Sequence, residues 1–210
     1  MTSKHPWTLI LASRSPRRRQ LLAEAGYRFE VIPPDDAAEG PPEPGESPER
    51  HVARLAEAKA GDVVRRIAPE RPELFDSCDR PPPLVLGCDT VAECDGAILG
   101  KPRDRDHARE ILLRLSGREH RVLSGVCLWP IGRAQSQPEP AVRVAETRLR
   151  MDRLSAEQLD TYLAGGQWQG KAGAFGYQDR IGWVHVIEGS ESNVVGLPME
   201  LLAEMLSSHR

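Results

Sequence analysis

Lysine is what this chain almost lacks. Of its 28 basic residues only four are lysine, at positions 4, 59, 101 and 171, and the other 24 are arginine. Arginine serves wherever a surface cation is wanted, so a lysine kept in the chain's interior points to a need for a compact ammonium, with chance as the alternative. Cysteine is also sparse. Cys78, Cys88, Cys94 and Cys127 make no CxxC pair and no zinc spacing, and the six histidines are equally scattered, which argues against a structural zinc site. Cys88 and Cys127 fall in apolar, strand-like runs and read as reduced core residues. No apolar run approaches 18 residues and no signal-peptide pattern is present, so membrane insertion and secretion are not indicated and a cytoplasmic protein is expected. Excess positive charge is missing too. The net charge is −3, which does not suit general binding of polymeric nucleic acid.

What is present fits an ordinary globular protein, 40% hydrophobic and 28% charged over 210 residues, long enough to bury a core within one domain spanning residues 1–210. Leu9 to Leu22 is its most unusual stretch. An apolar run of strand length leads through Ser13 and Arg14 to Ser15-Pro16, a serine N-cap with proline at the first helical position. Arg17, Arg18 and Arg19 then occupy the helix's first turn, where the dipole disfavours cations. The cluster is either an anion site over free backbone N–H groups or a solvated arginine face.

Helix is expected from Pro16 to about Ala25, followed by a strand at Phe29–Ile32 and an acid- and proline-rich loop from Pro33 to Gly45. A second serine-proline start at Ser47 opens a helix with an apolar stripe at Val52, Leu55, Ala56, Val63 and Ile67. Lys59 lies on that stripe, where it must either snorkel to solvent or meet an anion. Glu70 to Pro83 reads as a connector. Leu84 to Ala92 is an apolar strand interrupted by Asp89, an acid that needs backbone donors, an ion partner or a metal if buried. The Asp95-Gly96 turn returns the chain so that Lys101 could come back near Asp89. A helix capped by Asp104, strands at His120–Trp129 and Ala141–Met151, and a helix from the Ser155 capping box follow. Gly132 to Pro140 reads as a loop between those strands. Gly170–Gln178 is a loop of small residues that lets backbone approach a ligand and carries Lys171. A strand at Trp183–Ile187 and a closing helix with Leu201, Leu202, Met205 and Leu206 complete the chain.

Leu11-Ala12-Ser13-Arg14-Ser15-Pro16-Arg17-Arg18, Gly87-Cys88-Asp89-Thr90-Val91, Leu99-Gly100-Lys101-Pro102, Leu115-Ser116-Gly117, Lys171-Ala172-Gly173-Ala174-Phe175-Gly176-Tyr177-Gln178 and Val194-Val195-Gly196-Leu197-Pro198 together resemble the Maf family of nucleotide pyrophosphatases, in family order and over nearly the whole chain. The resemblance implies a mixed α/β fold similar to inosine-triphosphate pyrophosphatases, with an elongated sheet, flanking helices and two lobes around a cleft. It also implies hydrolysis of a nucleoside triphosphate to the monophosphate and pyrophosphate, with Mg²⁺ or Mn²⁺, in a homodimer. Arg17, Thr90 and Gln178 match the dTTP/UTP type and not the 7-methyl-GTP type. Cys88, Gly170 and Asp179 depart from the usual residues, the last two beside the segment expected to contact the base.

The chemistry then suggests roles. Asp89 is the expected general base for the attacking water and, with Glu39 (placed by the resemblance), the expected metal ligand. Ser13, Arg17, Arg18, Lys59, Lys101 and Lys171 are expected around the phosphates, and Thr90, Gln178 and Arg17 around the pyrimidine. The alternatives are a pyrophosphatase for modified nucleotides such as 7-methyl-GTP, or a nucleotide-sensing regulator of septum formation without catalysis.

Overall fold

The computed structural model describes residues 8–74, 83–131, 139–179 and 182–208. A seven-stranded mixed sheet runs through it. The strands are β1 (Leu9–Ala12), β2 (Phe29–Val31), β3 (Leu84–Cys94), β4 (Ala97–Leu99), β5 (Glu119–Pro130), β6 (Ala141–Met151) and β7 (Val184–Glu188). They are arranged in the order β2-β1-β3-β5-β6-β7, with β4 paired to β3 off that path. β1 is parallel to both β2 and β3, while β3, β5, β6 and β7 pair antiparallel in succession. Parallel neighbours need crossovers. They are supplied by α1 (Pro16–Glu24) between β1 and β2 and by α2 (Pro48–Glu70) between β2 and β3. The remaining helices are α3 (Arg105–Leu115), α4 (Ala156–Ala164), α5 (Glu191–Val195) and α6 (Met199–Ser207).

β3 and β5 pair over their whole lengths and carry the architecture. Side chains alternate between the faces of a strand, and on one face β3 contributes to two separate clusters. Leu84, Leu86 and Cys88, with Val126 and Leu128 of β5, pack under α1 and α6. Further along the same strands Ala92, Cys94 and Val122 pack with α3, α4 and the 172–175 turn. Thr90 and its cross-strand partner Ser124 fall in the gap between the two clusters. A polar pair therefore marks the seam between two lobes. On the opposite face α2 lies along the sheet, burying Ala56, Ala60, Val63 and Val64 against Ile10, Val85 and Cys127.

The α2 approach is unusually close because β3 and β5 present glycine to it. A methyl built on Gly87 would run into the Ala56 carbonyl oxygen, and one on Gly125 into the Val52 carbonyl oxygen. Gly125 is also the register partner of Asp89. The two glycines lower the helix onto the sheet at the point where the sequence holds its out-of-place acid.

Elements expected from the sequence are present with small differences at their ends. β3 runs on to Cys94 and α1 stops at Glu24, with Ala25 as its cap. The short helix α5 within the expected approach to α6 is an addition, capped by the Ser190 hydroxyl. Cys78 and most of the Glu70–Pro83 and Gly132–Pro140 segments lie outside the described residues. Among those described, no helix is long and apolar enough to cross a membrane.

Candidate active site

Ser47 caps α2 and Pro48 starts it, which sets the phase of the helix so that Lys59 points into the sheet. Lys59 is buried, at 4% exposure. It neither snorkels nor stands alone. Its Nζ lies 2.6 Å from Asp89 Oδ1 and 3.2 Å from Glu39 Oε1. One ammonium thus joins an acid from mid-strand β3 to another from the loop after β2, and the carboxylates can be no farther apart than those two contacts laid end to end. Burial alone would raise the Glu39 carboxyl, but Lys59, Lys101 and Arg18 outweigh it and hold it below the ordinary carboxylate range.

This trio forms part of the lining of a cleft of about 250 Å³. The start of α1 forms another wall. Ser15 caps that helix, its Oγ accepting from the Arg18 N–H, and Pro16 opens it. Arg17 and Arg18 turn into the cleft, whereas Arg19 is exposed to solvent. Arg17 Nη2 donates to the Gly170 carbonyl at 3.0 Å. Its guanidinium pKa is lowered, first by burial and then by Arg18 beside it, against the opposing pull of Asp179 and Tyr162. Lys101 lies just past the β3–β4 hairpin and reaches the same cleft, as its position in the hairpin suggested.

The third wall is the loop after α4. Lys171 is buried and paired with Asp179 rather than free. The backbone of Gly176 runs so close to this pair that a methyl there would touch both charged ends, the nearest atoms lying 2.5 Å away. The ion pair therefore closes the loop onto its own glycine, and Phe175 and the exposed Gln178 side chain line the cleft on either side of Gly176.

All ten residues expected at the site, Ser13, Arg17, Arg18, Glu39, Lys59, Asp89, Thr90, Lys101, Lys171 and Gln178, line this one cleft. Asp89 has the ion partner that its place in an apolar strand called for, whereas Lys171, expected at the phosphates, already has its anion in Asp179. Sequence reasoning passed over Arg14, which lines the cleft while pairing with Asp36, and Ser124, fully buried beneath Thr90. Arg14 could have been flagged by its place between two serines at a helix entry. Nothing local singles out Ser124.

The cleft draws on residues from both ends of the chain. The family model described as Maf-like protein matches residues 8–209. The chain belongs to the Maf family. Among Maf relatives, a protein of Rhodopirellula baltica named dTTP/UTP pyrophosphatase is 51% identical over 207 residues, covering 98% of this chain and 84% of its own. One of Brucella abortus with the same name is 41% identical over 201 residues, covering 95% and 90%. Among solved structures, the Ham1 protein of Staphylococcus aureus shows a weak likeness, with a TM-score of 0.38 and 12% identity over 69% of this chain and 71% of that one.

Proposed function

We propose that this Maf protein is a nucleoside triphosphate pyrophosphatase that hydrolyses dTTP and UTP to the monophosphate and pyrophosphate. The observation that carries the reading is the Glu39–Lys59–Asp89 trio in a cleft shared with Arg17, Arg18 and Lys101. The names borne by its relatives supply the substrate. In the reaction a water oxygen bonds to the α-phosphorus as the bond from that phosphorus to the bridging oxygen breaks, and pyrophosphate departs. Asp89 takes the water's proton, a task for which a carboxylate in hydrogen-bond reach of the attacked centre is suited. Lys59 fixes that carboxylate in place. Arg17, Arg18 and Lys101 receive the charge that collects on the phosphate oxygens. Gln178, with both amide donor and acceptor, and Arg17 face the pyrimidine, whose carbonyls and N3–H ask for that mixture.

A divalent cation fits the donor set. Mg²⁺ characteristically binds through one or two carboxylates and the substrate's own phosphates. Asp89 and Glu39, held together by one ammonium, offer such a pair, and no cluster of three or more His, Cys, Asp or Glu suited to a metal exists among the described residues. Asp89 and Glu39 would hold the ion, which when bound supplies Lewis acidity to the phosphates.

The test is pyrophosphate release from a panel of nucleoside triphosphates, with and without Mg²⁺ or Mn²⁺. dTTP and UTP are expected to lead. Asp89→Asn is expected to lower kcat by about 10²–10⁴-fold, the usual contribution of a general base, while KM stays within a few-fold. Full activity in that variant refutes the assignment of Asp89. Release from no nucleotide refutes the enzymatic reading, and release only from a methylated purine refutes the pyrimidine.

A further inference from the structure

Lys171 and Asp179 stand at the two ends of one short segment. Lys171 precedes a turn at Ala172–Ala174, and Asp179 ends a second at Tyr177–Asp179. A backbone bond closes each turn, from the Ala174 N–H to the Lys171 carbonyl at 3.1 Å and from the Asp179 N–H to the Gly176 carbonyl at 3.1 Å. The side-chain ion pair then ties the two ends together, with only 11% of the lysine and 17% of the aspartate side chain exposed. Salt and water screen such a pair little, and breaking it strands a charge.

Arg17 and Gln178, which face the pyrimidine in the reading above, meet this segment at its two ends. Gln178 lies within the second turn, directly before Asp179. Arg17 donates through Nη2 to the Gly170 carbonyl, at 3.0 Å, directly before Lys171. Gly170 has φ +67°, a conformation that glycine adopts without strain, and this aims its carbonyl at the arginine. Burial and Arg18 lower the Arg17 pKa, and Asp179 is foremost among the groups that oppose them. The phosphate side of the cleft is held by other partners. Arg18 is bonded to Gly196 and Ser13, and Lys59 to Asp89 and Glu39.

We infer that Asp179, acting through Lys171, is a positioning residue for base selection, and that their ion pair sets the backbone that holds Arg17 and Gln178 toward the pyrimidine. The inference rests on the pyrophosphatase reading above. Phosphates are common to all nucleotides, so a lysine that served them would weaken every substrate alike when lost. Loss of a brace behind the base contacts weakens the preferred bases alone.

The experiment measures kcat/KM for dTTP, UTP, CTP and GTP, with Mg²⁺, in the wild type, Asp179→Asn, Lys171→Met and Gly176→Ala. Gly176→Ala keeps both charges but sets a methyl where their ends meet, and so parts the pair by shifting side chains alone. Each variant is expected to lower kcat/KM for dTTP and UTP by about tenfold, the scale of one well-made hydrogen bond, and to leave CTP and GTP within about threefold. Comparing bases within one preparation cancels any loss of active enzyme, which is all that a merely structural pair would cause. The double variant Lys171→Met/Asp179→Asn is expected to lose no more preference than either single one, because the two act as a unit. An equal loss for all four nucleotides, an equal gain for all four in Asp179→Asn as Lys171 turns to phosphate, or an unchanged preference overturns the inference. Calorimetric titration with dTMP, UMP, CMP and GMP repeats the comparison without turnover, and the same loss confined to dTMP and UMP supports it. A wild type indifferent to the base in both measurements overturns it. A wild type that hydrolyses none of the triphosphates refutes the pyrophosphatase reading and leaves the titrations to decide the role of the pair.

Discussion

At the scale of single residues, Lys59 and His120 show opposite ways of burying a titratable group. Lys59 keeps its charge company with Asp89 and Glu39. Removing one partner of a buried pair costs more than the pair itself contributes, because the other charge is stranded. Lys59→Met is therefore expected to destabilise the fold by roughly 1–3 kcal/mol, since Asp89 loses its counter-ion while the more exposed Glu39 can turn to water. Adding Asp89→Asn should recover part of that loss, and the coupling is read from urea melts of the double-mutant cycle. His120 has no such company. It is 4% exposed, sits edge-on to Phe175 with ring centroids 5.4 Å apart, and neither ring nitrogen has a hydrogen-bond partner among the described residues. Burial pushes the imidazole pKa down to about 4, against the opposing pulls of the nearby Arg118 backbone and of Glu93. Between that value and the ordinary 6.5 the unfolded chain binds a proton that the folded chain refuses. Stability therefore falls as pH drops through this window and levels off below it, by about 3 kcal/mol in all. The difference in unfolding free energy between pH 7 and pH 4.5 is expected to shrink by most of that amount in His120→Phe, and an unchanged difference would count against the buried-neutral histidine.

At the scale of elements, the site depends on how low α2 rides on the sheet. Gly125 faces the Val52 carbonyl and leaves no room for a methyl. Gly125→Ala is expected to cost about 1–3 kcal/mol, the usual range for overpacking. It should also depress kcat beyond what the lost stability explains, because the helix that lifts is the one that carries Lys59. Ala53→Gly, which removes a methyl at a half-buried position beside the contact instead of adding one, should not mimic it. This dependence shows what could be read from the sequence and what could not. Lys59 on an apolar stripe, Asp89 inside an apolar strand and Lys101 past a hairpin turn announce themselves, because each is a polar residue placed where periodicity demands an apolar one or where a turn dictates direction. The return of Lys101 toward Asp89 was legible from the hairpin, but the meeting of Lys59 with Asp89 was not, since it is set by packing of α2 against Gly87 and Gly125, and a glycine in a strand looks the same whether it admits a helix or merely weakens a sheet. The pairing of Lys171 with Asp179 was hidden for a related reason. It closes within a nine-residue loop of no regular period. Likewise, the bond from Arg18 to the Gly196 carbonyl spans 178 positions and involves a backbone oxygen, which no side-chain pattern encodes.

At the scale of the whole molecule, a chain of net charge −3 gathers Arg14, Arg17, Arg18, Lys59, Lys101 and Lys171 around one cleft. Outside it arginine is used for forked pairing where Arg121 reaches Glu49, Glu93 and Glu146 together. A lysine could not span three carboxylates in this way. The three interior lysines, by contrast, all line the cleft, two of them buried against carboxylates and Lys101 exposed. That division gives the protein a built-in chemical reporter. Of the three, Lys101 alone offers its amine to an acylating reagent in water, and it does so from inside the cleft. Brief treatment with an N-hydroxysuccinimide ester, followed by peptide mass spectrometry, should acylate Lys101 well before Lys59 or Lys171. Saturating dTTP with Mg²⁺ should slow that reaction, while Lys59 and Lys171 should become reactive only on unfolding. Equal reactivity at all three would mean that the ion pairs holding Lys59 and Lys171 open freely in solution. The shortage of lysine noted in the sequence would then serve as a titration of occupancy, one amine reporting whether the cleft is filled.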